Sequence, residues 1–451
     1  MSEDYYKLLA ETRPACQIHR KADPMEQPQA LPAEPEFSAL VAIDWADKQH
    51  YWSLRAAGSD RTERGTLDNT PEAVEVWAAE LSQRFGGRPL ALALEQRKGA
   101  LVVLLAKYEH LHLYPVHPLT LARYRQAWFP SGSKDDPKDA DLLLEVVSHH
   151  RTRLRRLDPD TTEMRLLQCQ VENRRKLVDE RTALSNRLKD LLKIYFPQIP
   201  RWFTVVTTEL VGDLLEQWPT LEELQKAKPA RLEKFFRQHG SQDEEKLQQR
   251  LSEIRIALPA TGDLAVIGGA LPMVRACVRQ IAVLRQAIGE LDKAISELAH
   301  QQEDWAIFSP LPGAGDVMAP RLMAAMGTLR ERYQSASEVQ CLSGIAPVKE
   351  ASGNNVWIHF RWACPKFLRQ TFHEFAACSI PHCEWAAAYY HGLRRNGKDH
   401  HVAVRALAFK WMRIIFRCWK DRQPYREEVY CASVAKRRLP TAALQRSVQM
   451  P

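Results

Sequence analysis

Long apolar runs, paired cysteines and an export signal are all missing from this sequence, and each absence narrows the class of protein. None of its 451 residues belongs to a run that approaches the roughly 18 consecutive apolar residues of a membrane-spanning helix. The first residues, MSEDYYKLLAETRP, lack the basic and apolar regions of a secretory signal. We therefore expect a cytoplasmic protein without a membrane segment.

Two kinds of ligand site are also poorly supported. The nine cysteines are scattered without a CxxC pair, which is typical of buried reduced thiols, and the histidines and cysteines at 373–383 match no tetrahedral zinc pattern. GLRRNGK at 392–398 resembles the start of a nucleotide-binding loop. However, Asp399 stands where a hydroxyl residue is needed, and no strand precedes the motif. Neither zinc nor ATP is expected.

The charge of the chain permits a polyanionic partner. A formal charge of +8 is compatible with nucleic acid binding, although many proteins this basic bind none. Basic residues crowd two short stretches, as they would on a surface that follows phosphates. These candidates are Arg151, Arg153, Arg155, Arg156, Arg174, Arg175 and Lys176. A solvated basic helix face is the alternative that this pattern leaves open.

Five segments differ in pattern. Residues 1–37 are rich in proline and acidic residues and predict a mobile tail, and 427–451 predict a second, polar tail. Between 38 and 155, SALVAIDWA, KQHYWSLRAAG, residues 62–67, PLALALEQ and LHLYPVHP predict strands. Thr70 before Pro71 predicts a helix start, and the mixture of strands and helices predicts an α/β domain. Residues 156–302 are rich in Leu, Glu, Arg and Gln and predict helices, and 303–426 predict a compact, mostly helical domain. The length is consistent with two or three domains at about 150 residues each.

Apolar residues in the middle segment recur at spacings of three and four. One series runs from Leu177 to Tyr195 and a longer one from Val274 to Leu298. This spacing predicts coiled-coil seams. The two helices could pack together within one chain, or the seams could join two chains, so a dimer is reasonable.

Four acidic residues occupy positions from which carboxylates can converge. Asp44 and Glu95 end two predicted strands, and Asp136 and Asp139 stand three apart where Pro137 can open a helix. Four carboxylates packed together repel one another unless cations lie among them, and magnesium prefers such oxygen ligands. Two ions about 3.5–4 Å apart can activate an attacking oxygen and stabilise a leaving oxygen at phosphorus. Taken singly, each acid is better explained as a helix cap or a surface charge.

Gly313 and Gly315 lie in a turn before a predicted helix, SPLPGAGDVMAP. Such a turn can present backbone N–H groups to a phosphate. A tight helix–helix connection explains the same glycines, and the sequence leaves both readings open.

The order of the acids resembles the RuvC branch of the ribonuclease H-like nucleases. Six blocks also resemble, in order, those of IS110-type (IS110/IS1111/IS116/IS902-like) transposases: AIDWADKQHYWSL, LALEQ, SKDDPKDADLL, LPGAGDVMA, LSGIAPVKEASGN and NGKDHHVAVRALAFKWMRIIF. The resemblance covers residues 38 to about 425. It implies an α/β plus α fold, with a ribonuclease H-like (RuvC-like) N-terminal domain, a helical coiled-coil middle segment and a mostly helical C-terminal transposase domain.

The resemblance also implies roles for particular residues. The family's four acids fall on Asp44, Glu95, Asp136 and Asp139. Its serine nucleophile, which precedes a glycine shortly after Gly-x-x-Pro, falls on Ser352.

Around this serine the local signals are weaker. Ser-Gly-Asn-Asn alone would predict an ordinary turn at Ser352. Asp135 and Glu350-Ala351 depart from the family's pattern, which has a threonine before the first aspartate of the pair and more hydroxyl residues before the serine. Lys366 and Arg369, downstream, could steady a phosphate or simply face solvent.

By this resemblance, the protein is a transposase that cleaves and rejoins donor and target DNA. The implied reaction is metal-assisted attack by a serine through a phosphoserine intermediate, with Mg²⁺ and without ATP. The resemblance further implies an element-encoded non-coding guide RNA and a homo-oligomer, dimer or tetramer, that combines the acids of one subunit with the serine of another. One alternative is a RuvC-like endonuclease that hydrolyses structured DNA without a covalent intermediate. Another is a catalytically silent nucleic-acid-binding protein.

Overall fold

A computed structural model describes residues 36–128, 136–353 and 355–438, except for the side chains of Asp136 and of 433–438. The chain divides into two compact units, one that ends at Asp160 and one that begins at Thr161. The tail predicted at 1–37 lies almost wholly outside the described residues, as do residues 439–451 of the second predicted tail.

The first unit is built on a five-stranded mixed sheet with the order β3-β2-β1-β4-β5. Its strands are β1 (Ala39–Asp44), β2 (Gln49–Ala56), β3 (Thr62–Asp68), β4 (Leu90–Leu94) and β5 (Leu111–Pro115). β2 is antiparallel to β1 and β3, whereas β1, β4 and β5 are parallel. The predicted ribonuclease H-like class of this domain is confirmed.

Helices cover both faces of this sheet. They are α1 (Pro71–Arg84), α2 (Ala100–Leu105), α3 (Pro118–Trp128) and α4 (Asp136–His150). α1 begins as the sequence predicts, because the Thr70 side chain accepts a hydrogen bond from the backbone N–H of Ala73. Successive strand residues point to opposite faces: Val41 and Ile43 pack with α1 and α2, and Ala42 packs with α3 and α4.

In its described residues, the regular structure of the second unit is helical apart from one β-hairpin. Its helices are α5 (Thr162–Tyr195), α6 (Gln198–Trp202), α7 (Glu209–Gln217), α8 (Leu221–Lys226), α9 (Pro229–Gln238), α10 (Glu244–Ile256), α11 (Leu264–His300), α12 (Trp305–Phe308), α13 (Gly315–Met326), α14 (Ala336–Leu342), α15 (Lys366–Ser379), α16 (Glu384–Arg395), α17 (His400–Lys420) and α18 (Glu427–Arg438). The hairpin strands, β6 (Val348–Ser352) and β7 (Asn355–His359), lie between α14 and α15. α18 replaces the start of the polar tail predicted at 427–451.

The two long helices α5 and α11 pack against each other in opposite directions. Val171, in the first half of α5, shares a buried cluster with Ile295 near the end of α11. Leu188, near the end of α5, shares a second cluster with Val274 near the start of α11. The apolar seams predicted from the sequence therefore pair with each other within one chain.

α11 is long and apolar enough to cross a membrane when only length and composition are considered. Core helices satisfy the same criterion. Val274, Ile281 and Ile295 of α11 are buried in the two clusters that this helix shares with α5.

An ion-pair network ties α5 to the C-terminal helices. Glu374 of α15 accepts hydrogen bonds from Arg175 of α5, at 3.1 Å, and from Arg321 of α13. The Arg321 side chain is only 5% exposed, so Glu374 neutralises a buried charge.

We expect Glu374→Gln to lower the free energy of unfolding by about 3 kcal/mol, because it leaves the Arg321 guanidinium buried without its counter-ion. Urea unfolding followed by circular dichroism measures this change. Glu216→Gln is the matched control, since its partner Arg279 is 71% exposed and a surface pair contributes less than about 1 kcal/mol. Equal effects of the two substitutions would contradict a structural role for Glu374.

Candidate active site

Two of the predicted acids lie side by side at the edge of the sheet where the parallel strands β1 and β4 end. Asp44 is the last residue of β1, and Glu95 directly follows β4. The parallel register pairs Ile43 with Leu94, so Asp44 and Glu95 are the next pair along, on strands about 4.8 Å apart. Asp44 alternates with Ile43 and so belongs to the face that α3 and α4 cover.

The start of α4 lies at the same edge. Ser53 Oγ donates to Asp141 and Arg55 Nη2 donates to Glu145, each at 2.7 Å. The contact nearer the start of α4 is to Ser53 and the later contact is to Arg55, so α4 runs in the same direction as β2. β2 is antiparallel to β1. α4 is therefore antiparallel to β1, and its first turn lies toward the end of β1 that carries Asp44.

Asp139, in this first turn, has a partner that the sequence did not indicate. Its side chain is 2% exposed and accepts two hydrogen bonds from Arg125 of α3, at 2.7 and 2.5 Å. Asp136 is the first residue of α4, and its side chain lies outside the described part of the chain. The structure thus brings Asp44, Glu95 and the start of α4 to one edge and pairs Asp139 with Arg125.

The acids at this edge suit a divalent cation in residue type. They are the oxygen ligands that magnesium prefers. Among the side chains that the structure describes, no group of three or more His, Cys, Asp or Glu is close enough together to hold a metal ion. Arg125 and a cation compete for the same carboxylate of Asp139, so metal binding there requires the Arg125–Asp139 pair to open.

Ser352 lies at the tip of the hairpin, where it pairs with Asn355. Its side chain is exposed and has no hydrogen-bond partner among the described residues. Gly353 follows with φ +56°, a left-handed conformation that suits glycine in a tight turn. Ser343 also precedes a glycine, but it is fully buried. Of these two serines, only Ser352 is accessible to DNA.

The base of the hairpin is fixed by contacts between the segments that flank it. Gly344 has φ +72°, and a Cβ there would lie 2.3 Å from Cys364 Sγ, so only glycine allows this approach. Arg361 Nε donates to the carbonyl oxygen of Ala346 at 3.3 Å. Sequence reasoning missed these contacts and the strands themselves.

Two of the predicted phosphate-binding arginines take part in ion pairs of the helical unit. Arg174 pairs with Asp292 of α11, and Arg175 pairs with Glu374 and with Asp179. Both side chains are about one-fifth exposed, at 17% and 21%. These pairs give the two charges a structural use that the sequence did not indicate. A phosphate contact by either residue stays a prediction.

The other basic candidates are mostly on the surface. Arg153, Arg155, Arg156 and Lys176 are exposed, and Arg156 pairs with an acid at 2.9 Å. Arg151 stacks on an aromatic ring of its own unit, 4.8 Å from the ring centroid. Their contact with nucleic acid stays a prediction.

At the glycine turn the structure favours close packing. A Cβ on Gly313 would lie 2.4 Å from the carbonyl oxygen of Cys378, and the residue has φ +74°. Gly315 begins α13, and a Cβ there would meet nothing within 4 Å. The tight helix connection therefore explains Gly313, and phosphate binding at this turn stays a prediction.

Lys366 and Arg369 both lie at the start of α15. Lys366 is exposed, whereas Arg369 is half-buried with its guanidinium 5.1 Å from the centroid of the Phe360 ring.

Two family models match this chain. One, described as "Transposase", matches residues 41–197, and the other, "Transposase IS116/IS110/IS902 family", matches residues 306–391. The chain belongs to the IS110/IS116/IS902 family of transposases. The family predicted from the sequence is thereby confirmed. This IS110-family transposase binds DNA and catalyses DNA cleavage and strand transfer. Its N-terminal domain is a DEDD nuclease domain, a class that uses divalent metal ions.

Relatives of this transposase align over most of their length. "Mini-circle putative transposase for IS117" of Streptomyces coelicolor is 24% identical over 88% of this chain and 97% of that protein. The insertion element IS116 uncharacterized 44.8 kDa protein of Streptomyces clavuligerus is 24% identical over 85% and 95%. The insertion element IS900 uncharacterized 42 kDa protein of Mycobacterium paratuberculosis is 24% identical over 77% and 84%.

We expect Arg125→Gln to strengthen binding of Mn²⁺, a spectroscopic substitute for Mg²⁺, by about 10- to 100-fold, because it removes a charged bidentate partner of Asp139 that contributes about 1.5–3 kcal/mol. Electron paramagnetic resonance of free Mn²⁺ measures the affinity without any reaction. Arg64→Gln is the control, since Arg64 pairs with Asp141 of the same helix on the surface. Unchanged Mn²⁺ affinity in Arg125→Gln would show that Asp139 is not a ligand.

Proposed function

We propose that this transposase cleaves and rejoins DNA through a phosphoserine formed on Ser352. In this proposal Asp44, Glu95, Asp136 and Asp139 hold two Mg²⁺ ions. The observation that carries the proposal is the position of Ser352, which is exposed at the tip of a hairpin whose base is fixed, within the segment that matches the C-terminal transposase model.

The covalent step exchanges one phosphorus–oxygen bond for another. Ser352 Oγ bonds to a backbone phosphorus as the bond from that phosphorus to a DNA oxygen breaks. The serine proton leaves to solvent or to a base, and the departing DNA oxygen takes up a proton. Because the number of phosphorus–oxygen bonds is unchanged, the phosphoserine conserves the bond energy and no ATP is needed. A hydroxyl of a second DNA end then attacks the phosphorus, and the serine oxygen leaves.

The carboxylates have a separate task. Bound Mg²⁺ supplies positive charge at the scissile phosphate. The chain itself contributes the placement of the acids, with Asp44 and Glu95 on adjacent strands and Asp139 at the start of α4. Arg125 holds the Asp139 carboxylate in an ion pair, and this pair opens when Asp139 takes up a cation.

The proposal includes an element-encoded guide RNA and a homo-oligomer. Family membership supports both, and the exposed arginines at 153–156 are compatible with RNA. The α5–α11 seam is used within the chain, so an oligomer has to form through other surfaces.

A metal-dependent endonuclease that hydrolyses structured DNA is the second candidate. It is favoured by one observation, namely that the Ser352 side chain makes no hydrogen bond to a base among the described residues. Hydrolysis would use the acids and not the serine.

We expect Ser352→Ala to abolish a covalent protein–DNA band, because the attacking oxygen is removed. The assay is a denaturing gel of the full chain with its co-purified RNA, Mg²⁺ and labelled DNA from the ends of its element. Ser343→Ala, which alters a buried serine that also precedes a glycine, should keep the band. Cut DNA without a covalent band in both wild type and Ser352→Ala would establish the hydrolytic function instead.

Asp44→Ala should eliminate cleavage while the fold stays nearly intact, because loss of one carboxylate relieves repulsion among the acids. The same gel reports cleavage, and circular dichroism reports folding. Asp47→Ala, an exposed acid just beyond β1, should cleave normally. Normal cleavage by Asp44→Ala would show that the carboxylate assignment is wrong.

A further inference from the structure

Two arginines from different helices stack on one aromatic ring beside the hairpin. The ring belongs to Phe360, the residue that follows β7. The guanidinium of Arg405, from α17, lies 4.3 Å from the ring centroid, and that of Arg369, from α15, lies 5.1 Å from it. Stacking on a ring holds a guanidinium in place and leaves its edge able to donate hydrogen bonds.

Histidines extend this group along the same two helices. His373 lies one turn after Arg369 on α15, and His401 lies one turn before Arg405 on α17. The two imidazole rings are 5.6 Å apart. We call Phe360, Arg369, His373, His401 and Arg405 the Phe360 cluster.

Cationic side chains of the Phe360 cluster surround His373. Burial, the neighbouring charge of Arg405, and the charges of His401 and His400 lower the pKa of His373 to about 4, although a backbone hydrogen bond at His401 opposes them. All of the charged groups that act on this imidazole are cationic. Arg369 Nη1 is buried without a hydrogen-bond partner among the described residues. A partly buried cationic group is costly unless an anion joins it.

We propose that Arg369 and Arg405, held by Phe360, each bind one backbone phosphate of the DNA strand that runs from Ser352. Guanidinium groups bind phosphate oxygens through paired N–H donors, and two of them on one ring offer such donors at a fixed spacing. Arg405, His373 and His401 thus join Arg369 in a site that spacing along the sequence did not reveal.

The hairpin supplies the link to DNA. Phe360 is five residues beyond Asn355, the cross-strand partner of Ser352, which is about 17 Å along a strand at 3.3–3.4 Å per residue. At 3.4 Å per nucleotide along one DNA strand, this is about five nucleotides. The choice of DNA over RNA rests on the function proposed for Ser352.

The salt dependence of binding tests the site. The full chain is titrated with a labelled DNA duplex of about 30 base pairs, and the logarithm of the binding constant is followed against the logarithm of salt concentration. Arg369→Gln and Arg405→Gln should each reduce the slope by about 0.9, and the double variant by about 1.8. Arg413→Gln, on an exposed position of α17, should leave the slope unchanged. An unchanged slope in the folded double variant overturns the proposal.

A second measurement uses the wild-type chain and so does not depend on how the variants fold. Phenylglyoxal modifies accessible arginines, and mass spectrometry locates them. Bound duplex DNA should protect Arg369 and Arg405 from modification and leave Arg413 reactive. Protection by an RNA duplex but not by DNA would show that RNA is the occupant and would overturn the proposal.

The two proposals can fail separately. A covalent band from wild type together with unchanged slopes in the arginine variants refutes the Phe360 site and leaves the serine mechanism intact. Reduced slopes without any covalent band support the site as a DNA contact and refute the serine mechanism.

Discussion

The antiparallel packing of α5 against α11 is the contact on which the larger unit depends. One end of the pair carries Val171 and Ile295 into the cluster that includes the C-terminal helices, and the other carries Leu188 and Val274 into the cluster of α6 to α10. Both clusters are thus assembled on the same two helices. The ion pairs of Glu374 add specificity to this apolar contact, because the buried charge of Arg321 has to meet its partner.

In the smaller unit, strand register plays the corresponding part. The pairing of Ile43 with Leu94 places the next two residues, Asp44 and Glu95, beside each other. A slip of one residue would move a carboxylate to the opposite face of the sheet. The apolar residues that hold the register therefore also fix the positions of these two acids.

Local signals in the sequence were sufficient for much of the fold. Alternation and capping predicted β1 to β5 and the start of α1 at Thr70, because each signal acts within a few residues. β6 and β7 were missed, since their largely exposed residues show no apolar alternation. The Arg125–Asp139 pair and the ion pairs of Arg174 could not be predicted, because a charge looks the same in sequence whether water or a distant partner neutralises it. The seam spacing likewise predicted coiled-coil helices without naming their partner.

The isolation of Ser352 at the hairpin tip has a consequence for the host of a mobile element. A serine hydroxyl is a weak nucleophile until a base or a cation activates it, and among the described residues the Ser352 side chain makes no hydrogen bond that would activate it. Under the mechanism proposed, the nucleophilic hydroxyl is therefore not activated in a chain that has not yet bound nucleic acid. Between transposition events, the chromosome that carries the element is then exposed to an unactivated surface serine rather than to an activated nucleophile.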